Sequence, residues 1–140
     1  MAATVHEVVA EKLHAHAQRL TPARRDIVDV LAGAAGPLTI PEILAVRPGL
    51  AQSSVYRNLA ALEEAGVVHR MLTRDDFARY ELAEDLTGHH HHLVCVACGA
   101  TEKVADCGID RVTAEAARRT GYSIEQHRLE LFGRCPACRP

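Results

Sequence analysis

The sequence predicts an α+β protein: an N-terminal winged helix-turn-helix followed by a small α/β domain. Three observations carry that prediction. Residues 4–65 hold apolar positions at helical spacing, punctuated by Pro, Gly and capping residues. Two short runs, "VVHRML" and "ARYEL", follow at once and read as a β-hairpin across the polar loop "TRDD". Beyond the stretch "EDLTGHHHH" the pattern restarts as strand, strand, helix, strand, which divides the chain into residues 1–84 and 85–140.

Val5, Val8, Val9 and Leu13 form the apolar stripe of a first helix over 4–18. In "LTPARRDIVDVLAG", Thr21 suits an N-cap, Pro22 the first turn and Gly33 the end of a second helix. "LTIPEILAV" repeats the logic, with Thr39 and Glu42 at capping-box spacing, and Pro48-Gly49 closes that short helix. "AQSSVYRNLAALEEAG" predicts a further helix over 53–65, stopped by Gly66. Val55, Leu59 and Leu62 make its core stripe. Ser53, Arg57, Ala61 and Glu64 fall on the opposite face, with Tyr56 on the flank. In a winged helix-turn-helix this is the recognition helix, so Tyr56, Arg57 and Ser53 are candidate contacts to double-stranded DNA. Arg24 and Arg25, at the start of the second helix, are candidate phosphate contacts.

In the second half, "HLVCVA" and "TEKVA" read as strands and "IDRVTAEAARRTG" as a helix ending at Gly121. "YSIEQHRLELFG" reads as a third strand through Ile124, Leu129 and Leu131. So small a unit needs a staple or a partner to be stable.

Bulk properties narrow the function. An apolar content of 48% supports a packed core, and a net charge of −2 argues against non-specific coating of nucleic acid. No run of 18 or more apolar residues spans a membrane, and the N-terminus lacks the apolar stretch of a signal peptide. A cytoplasmic protein is the expectation.

Five cysteines then demand an account. Cys95-x-x-Cys98 and Cys135-x-x-Cys138 are two knuckles able to wrap one tetrahedral zinc, with thiolates at about 2.3 Å. Such a closed site is structural and leaves no position for substrate. Cys107 is left over as a bystander.

His89, His90, His91 and His92 cannot all point one way on an extended strand. Alternation sends His90 and His92 to one face, and His89 and His91 to the other, so the run serves two sites. His127 and Asp110 are available to the second pair, and His69 and Glu81 of the wing to the first. In the latter case metal would tie the DNA-reading half to the small half. A zinc hydrolase is the rival from another class, with Glu81 or Glu84 as its base. It requires an open coordination position in a substrate pocket. Nothing else in the sequence resembles such a pocket, and neither an enzyme nor an organic small-molecule substrate is expected.

Together, "LTPARRDIV", "SSVYRNLAALEEAGVVHR", "YEL", "HHHHLVCVACG" and "HRLELFGRCPAC" resemble the ferric uptake regulator family of bacterial metal sensors, over about residues 19–138. The resemblance implies a homodimeric, metal-dependent repressor of metal-uptake or stress operons. By position it implies a structural zinc at Cys95, Cys98, Cys135 and Cys138. Glu81, His90 and His92 match three ligands of a hinge sensing site. His89, His91, Asp110 and His127 match a site inside the dimerisation domain.

Departures from the family pattern bear on the metal. Pro37 stands where iron sensors of the family resemble one another in a histidine, and Lys103 where they have a carboxylate. Glu81 stands where peroxide sensors have an aspartate. The zinc-sensing branch is most similar, although Ala83 stands near its usual cysteine, and some of its members place a ligand at His69. A set of His69, Glu81, His90 and His92 suits tetrahedral zinc, with iron(II) or nickel as alternatives.

Overall fold

The computed structural model describes residues 2–73, 76–105 and 108–140, and these form two compact units, 1–88 and 89–140. In the first unit, helices α1 (Val5–Ala15), α2 (Pro22–Ala32), α3 (Ile40–Val46) and α4 (Gln52–Glu64) precede an antiparallel hairpin. The hairpin is β1 (Val68–Leu72) and β2 (Ala78–Leu82), and a single turn, α5 (Glu84–Thr87), ends the unit.

The helix starts follow from capping chemistry. At α1 the Thr4 amide donates to Glu7 Oε2 at 2.6 Å while Thr4 Oγ1 accepts from the Glu7 amide at 3.3 Å. Thr39 and Glu42 repeat this box at α3. Thr21 caps α2, with Pro22 in its first turn where no N–H is needed.

Helix α4 buries Val55, Leu59 and Leu62 against Val9, Leu13, Ile27, Val28, Leu31 and Ile43 of the other helices. Burial of side chains of this size contributes about 1.5–3 kcal/mol each. The helix ends in a Schellman motif. The Gly66 amide reaches the Glu63 carbonyl and the Val67 amide the Leu62 carbonyl, with Gly66 at φ +72°.

The hairpin register sets His69 opposite Glu81 and Arg70 opposite Tyr80. Leu38, in the link from α2 to α3, exchanges two backbone hydrogen bonds with Tyr80, at 2.9 and 2.8 Å. This pins the start of α3 to the hairpin. The pairing has no sequence signal, because Leu38 stands alone between Pro37 and the Thr39 cap.

The units divide after Gly88, four residues beyond the expected boundary at 84/85. The turn α5 belongs with the helices: Leu86 packs against their core, and Asp85 pairs with Lys12 of α1 at 2.6 Å.

The second unit is a three-stranded sheet in the order β4-β3-β5, with helix α6 (Ile109–Thr120) between β4 and β5. Strand β3 (His91–Cys95) pairs antiparallel with β4 (Thr101–Val104) and parallel with β5 (Glu130–Gly133). The expected strand over 122–133 is therefore only its last four residues. A parallel partner must re-enter from the end where β3 starts, so the chain after α6 is used on the return. Cys107 lies outside the described residues.

Candidate metal centres and DNA-reading face

Among the described residues, two clusters of metal-ligating side chains lie within the second unit. The first grows from the extended backbone entering β3. Alternation places His89 and His91 on the same side, and the segment before β5 brings His127 to them. The three Nε2 atoms stand 2.9, 2.9 and 3.1 Å apart, a nearly equilateral triangle. Neutral imidazoles cannot satisfy all three edges, because each Nε2 is either a donor or an acceptor and an N–H points one way. A cation beside the triangle takes all three lone pairs at once. The edges are within a few tenths of an ångström of those of a tetrahedron drawn at zinc–nitrogen length, roughly 3.3 Å. The donor set fits a divalent metal.

Asp110 does not join this triangle. It sits exposed in the first turn of α6, where a carboxylate also favours the helix N-terminus. Only three of the four residues matched to that site converge.

The second cluster joins Cys95, Cys98, Cys135 and Cys138. Cys95 ends β3, and the turn after it returns the Gly99 amide to the Cys95 carbonyl at 2.9 Å. The second knuckle repeats this, with the Cys138 and Arg139 amides on the Cys135 carbonyl at 2.9 and 3.0 Å. Sγ of Cys98 and Sγ of Cys135 are 3.8 Å apart. Sulfurs about 2.3 Å from one zinc stand about 3.8 Å apart on a tetrahedron, whereas a disulfide requires about 2.05 Å. The sulfurs are spaced for a shared ion.

Their protons are held unequally. The Cys135 amide, donating to Cys95 Sγ at 3.4 Å, and then the Cys98 amide lower Cys95 to about 6. Hydrogen bonds from Cys138 to the sulfurs of Cys135 and Cys98 raise Cys138 to about 12. One thiolate is thus preformed in the folded chain, and the last proton leaves only with difficulty.

His90, just before β3, and His92 within it lie side by side, ring centroids 5.0 Å apart, as alternation along an extended chain sets them opposite to His89 and His91. His69 and Glu81 are cross-strand partners of the hairpin, His69 half-buried and Glu81 buried.

On α4, Ser53, Tyr56 and Arg57 are exposed on one side while Val55, Leu59 and Leu62 hold the other in the core. Arg24 and Arg25 behave differently from simple surface cations. Arg24 is half-buried, its Nε donating to Asn58 Oδ1 at 3.0 Å and its Nη1 to the Arg19 carbonyl at 2.7 Å. Exposed Arg25 donates to His6 Nδ1 at 3.1 Å, and His6 Nε2 lies 2.6 Å from Asp29 Oδ1. Neither the Asn58 nor the His6 contact is legible in the sequence, because each is made with an arginine on another helix.

The family model of the ferric uptake regulators matches residues 15–132. The chain belongs to this family. It is similar to the ferric uptake regulation protein of Bacillus subtilis strain 168, 32% identical over 136 residues that cover 93% of this chain and 91% of that protein. The peroxide operon regulator of the same organism is 30% identical over 142 residues, covering 99% and 96%. Among solved structures, the ferric uptake regulator of Helicobacter pylori superposes with a TM-score of 0.79 at 27% identity, covering 97% of this chain and 94% of that one. That structure is described as revealing three functional metal-binding sites. Members of the ferric uptake regulator family are metal-responsive transcription regulators and not enzymes, with an N-terminal DNA-binding domain and a C-terminal dimerisation domain.

Proposed function

We propose that this regulator is a homodimeric repressor with zinc as its co-repressor, acting at operators of metal-uptake genes in the cytoplasm. The observation that carries the reading is the donor chemistry offered by the halves of the chain. The hairpin sets His69 against Glu81, and the extended chain entering β3 sets His90 beside His92. Three nitrogens and one carboxylate suit four-coordinate zinc better than the oxygen-rich, six-coordinate sites of harder ions. Pro37, which cannot ligate, occupies the place of the histidine expected of an iron sensor.

The residues divide the work. Cys95, Cys98, Cys135 and Cys138 hold a permanent zinc that clips the C-terminus to the end of β3. His69, Glu81, His90 and His92 hold the exchangeable one, whose binding switches the affinity for DNA. His89, His91 and His127 form a further site within the second unit. Arg57 pairs with a guanine edge in the major groove while Tyr56 and Ser53 contact its rim, and Arg25 reaches a phosphate. Val112, Tyr122, Leu131 and Phe132, all exposed in the single chain, supply apolar surface for a second copy to cover.

An iron-responsive reading is supported by the Bacillus ferric relative, and imidazole also accepts iron(II) or nickel. Duplex binding by the reconstituted protein, titrated against buffered free zinc, iron(II) and nickel with the four-cysteine site kept full, separates the two. The zinc reading expects DNA binding to switch on at the lowest free concentration for zinc and to weaken in His69→Ala. A response to iron(II) or nickel alone assigns the chain to a sister sensor.

A further inference from the structure

The guanidinium of half-buried Arg24 already serves acceptors of the protein itself, where a phosphate contact would need it turned to the duplex. Its Nε–H donates to Asn58 Oδ1 at 3.0 Å and its Nη1 to the Arg19 carbonyl at 2.7 Å. The Arg24 amide is itself fixed by the Thr21 cap at 3.3 Å. Asn58 then donates from Nδ2 to Ser54 Oγ at 3.0 Å, one turn earlier on α4. The chain of bonds runs from the loop before α2, through the first turn of α2, to the middle of α4. It arrives at the residue next to Arg57.

Position on α4 explains why such a tether matters. Val55, Leu59 and Leu62 hold α4 in the core through apolar contacts, which are strong but non-directional. They fix which face of α4 is buried, and a directional bond defines small rolls about its axis more sharply than they do. Hydrogen bonds to a planar guanidinium are directional, and Arg24 presents two of them from one rigid fork. A small roll of α4 swings the tip of a long side chain such as Arg57 away from a base edge, while backbone contacts elsewhere on the duplex tolerate it.

We propose that Arg24 and Asn58 form a positioning pair that sets the roll of α4, so that Arg24 determines operator selectivity without touching DNA. The inference rests on the reading of α4 as the recognition helix. It replaces the expectation that Arg24 is a phosphate contact. Ser54, which receives the Asn58 amide, belongs to the same tether.

The test uses the full-length, zinc-loaded protein. Its probes are a duplex selected from a random pool by the wild-type protein and a scrambled duplex of equal length. Arg24→Lys keeps the charge but loses the rigid planar fork that serves Asn58 and Arg19 together. Asn58→Ala breaks the same bond from the other side, and thermal melting confirms that each variant is folded. The pair predicts that each substitution lowers the selected-to-scrambled affinity ratio by about tenfold, the scale of one lost hydrogen bond to a charged group. The double variant loses no more than either single one. Scrambled-duplex affinity and the salt dependence stay unchanged.

A phosphate contact gives the opposite pattern: Arg24→Lys is tolerated, and Arg24→Gln weakens both duplexes alike and reduces the salt slope by about one. That result overturns the proposal. Arg57→Ala distinguishes the two levels. If it too leaves the selected duplex bound as before, the recognition-helix reading fails first. If only Arg57→Ala loses selectivity, the tether alone is wrong.

Discussion

At the scale of single residues, the account depends on what each side chain's environment permits. Arg57 is exposed one residue before the tethered Asn58, so its guanidinium is available while its helix is held. Arg57→Ala is expected to weaken the selected duplex by about 1–3 kcal/mol relative to a scrambled one, read by fluorescence anisotropy. The cysteines carry a pH prediction for the zinc-stripped chain. Cys95 ionises near 6 in the folded state against an ordinary value near 9, so the folded state binds fewer protons between those limits. Stability of the second unit therefore rises with pH across that window and is lost as pH falls through 6. Cys138, raised to about 12, keeps a proton that the unfolded chain gives up above 9, so stability falls again there. Denaturant titrations of the stripped chain should give a maximum near pH 9, and a monotonic decline from pH 6 upward would contradict the proton assignment.

At the scale of elements, the helix ends show which features were legible in the sequence. Thr4, Thr21 and Thr39 cap α1, α2 and α3, and each has a local cause, a Thr before the helix with Glu at N3 or Pro in the first turn. Thr4 carries through Glu7 the same signal as Thr39, although only Thr21 and Thr39 are named as caps from the sequence. The helical pattern runs on to about residue 18, but α1 ends at Ala15, because a Schellman motif closes there without its usual glycine. The Ala17 amide reaches the His14 carbonyl and the Gln18 amide the Leu13 carbonyl, with Ala17 at φ +55°. An L-residue in that conformation costs about 1 kcal/mol relative to glycine. Ala17→Gly is therefore expected to stabilise the first unit by about 0.5–1 kcal/mol in chemical denaturation, and a loss of stability would mean the turn is not strained. The last strand is shorter than its pattern for a different reason. Alternation marks which residues are extended, and it does not tell which of them find a ladder partner.

At the scale of the whole molecule, the order of helices, hairpin and α/β unit was legible because each segment carries its own periodicity and punctuation. The four-cysteine cluster was legible for a similar reason, since two knuckles of fixed spacing have few other uses. What was not legible depends on distant pairings: Leu38 on Tyr80, Arg24 on Asn58, and the failure of Asp110 to join His89, His91 and His127. Sequence offsets carry no information on those distances. The central claim is that zinc beyond the four-cysteine site switches DNA binding. Native mass spectrometry can count zinc ions per chain while duplex binding is followed in the same samples. The account predicts that a chain holding only the four-cysteine zinc is dimeric but binds the selected duplex no better than a scrambled one, and that selective binding appears as a second zinc enters. Full selective affinity at one zinc per chain would contradict it.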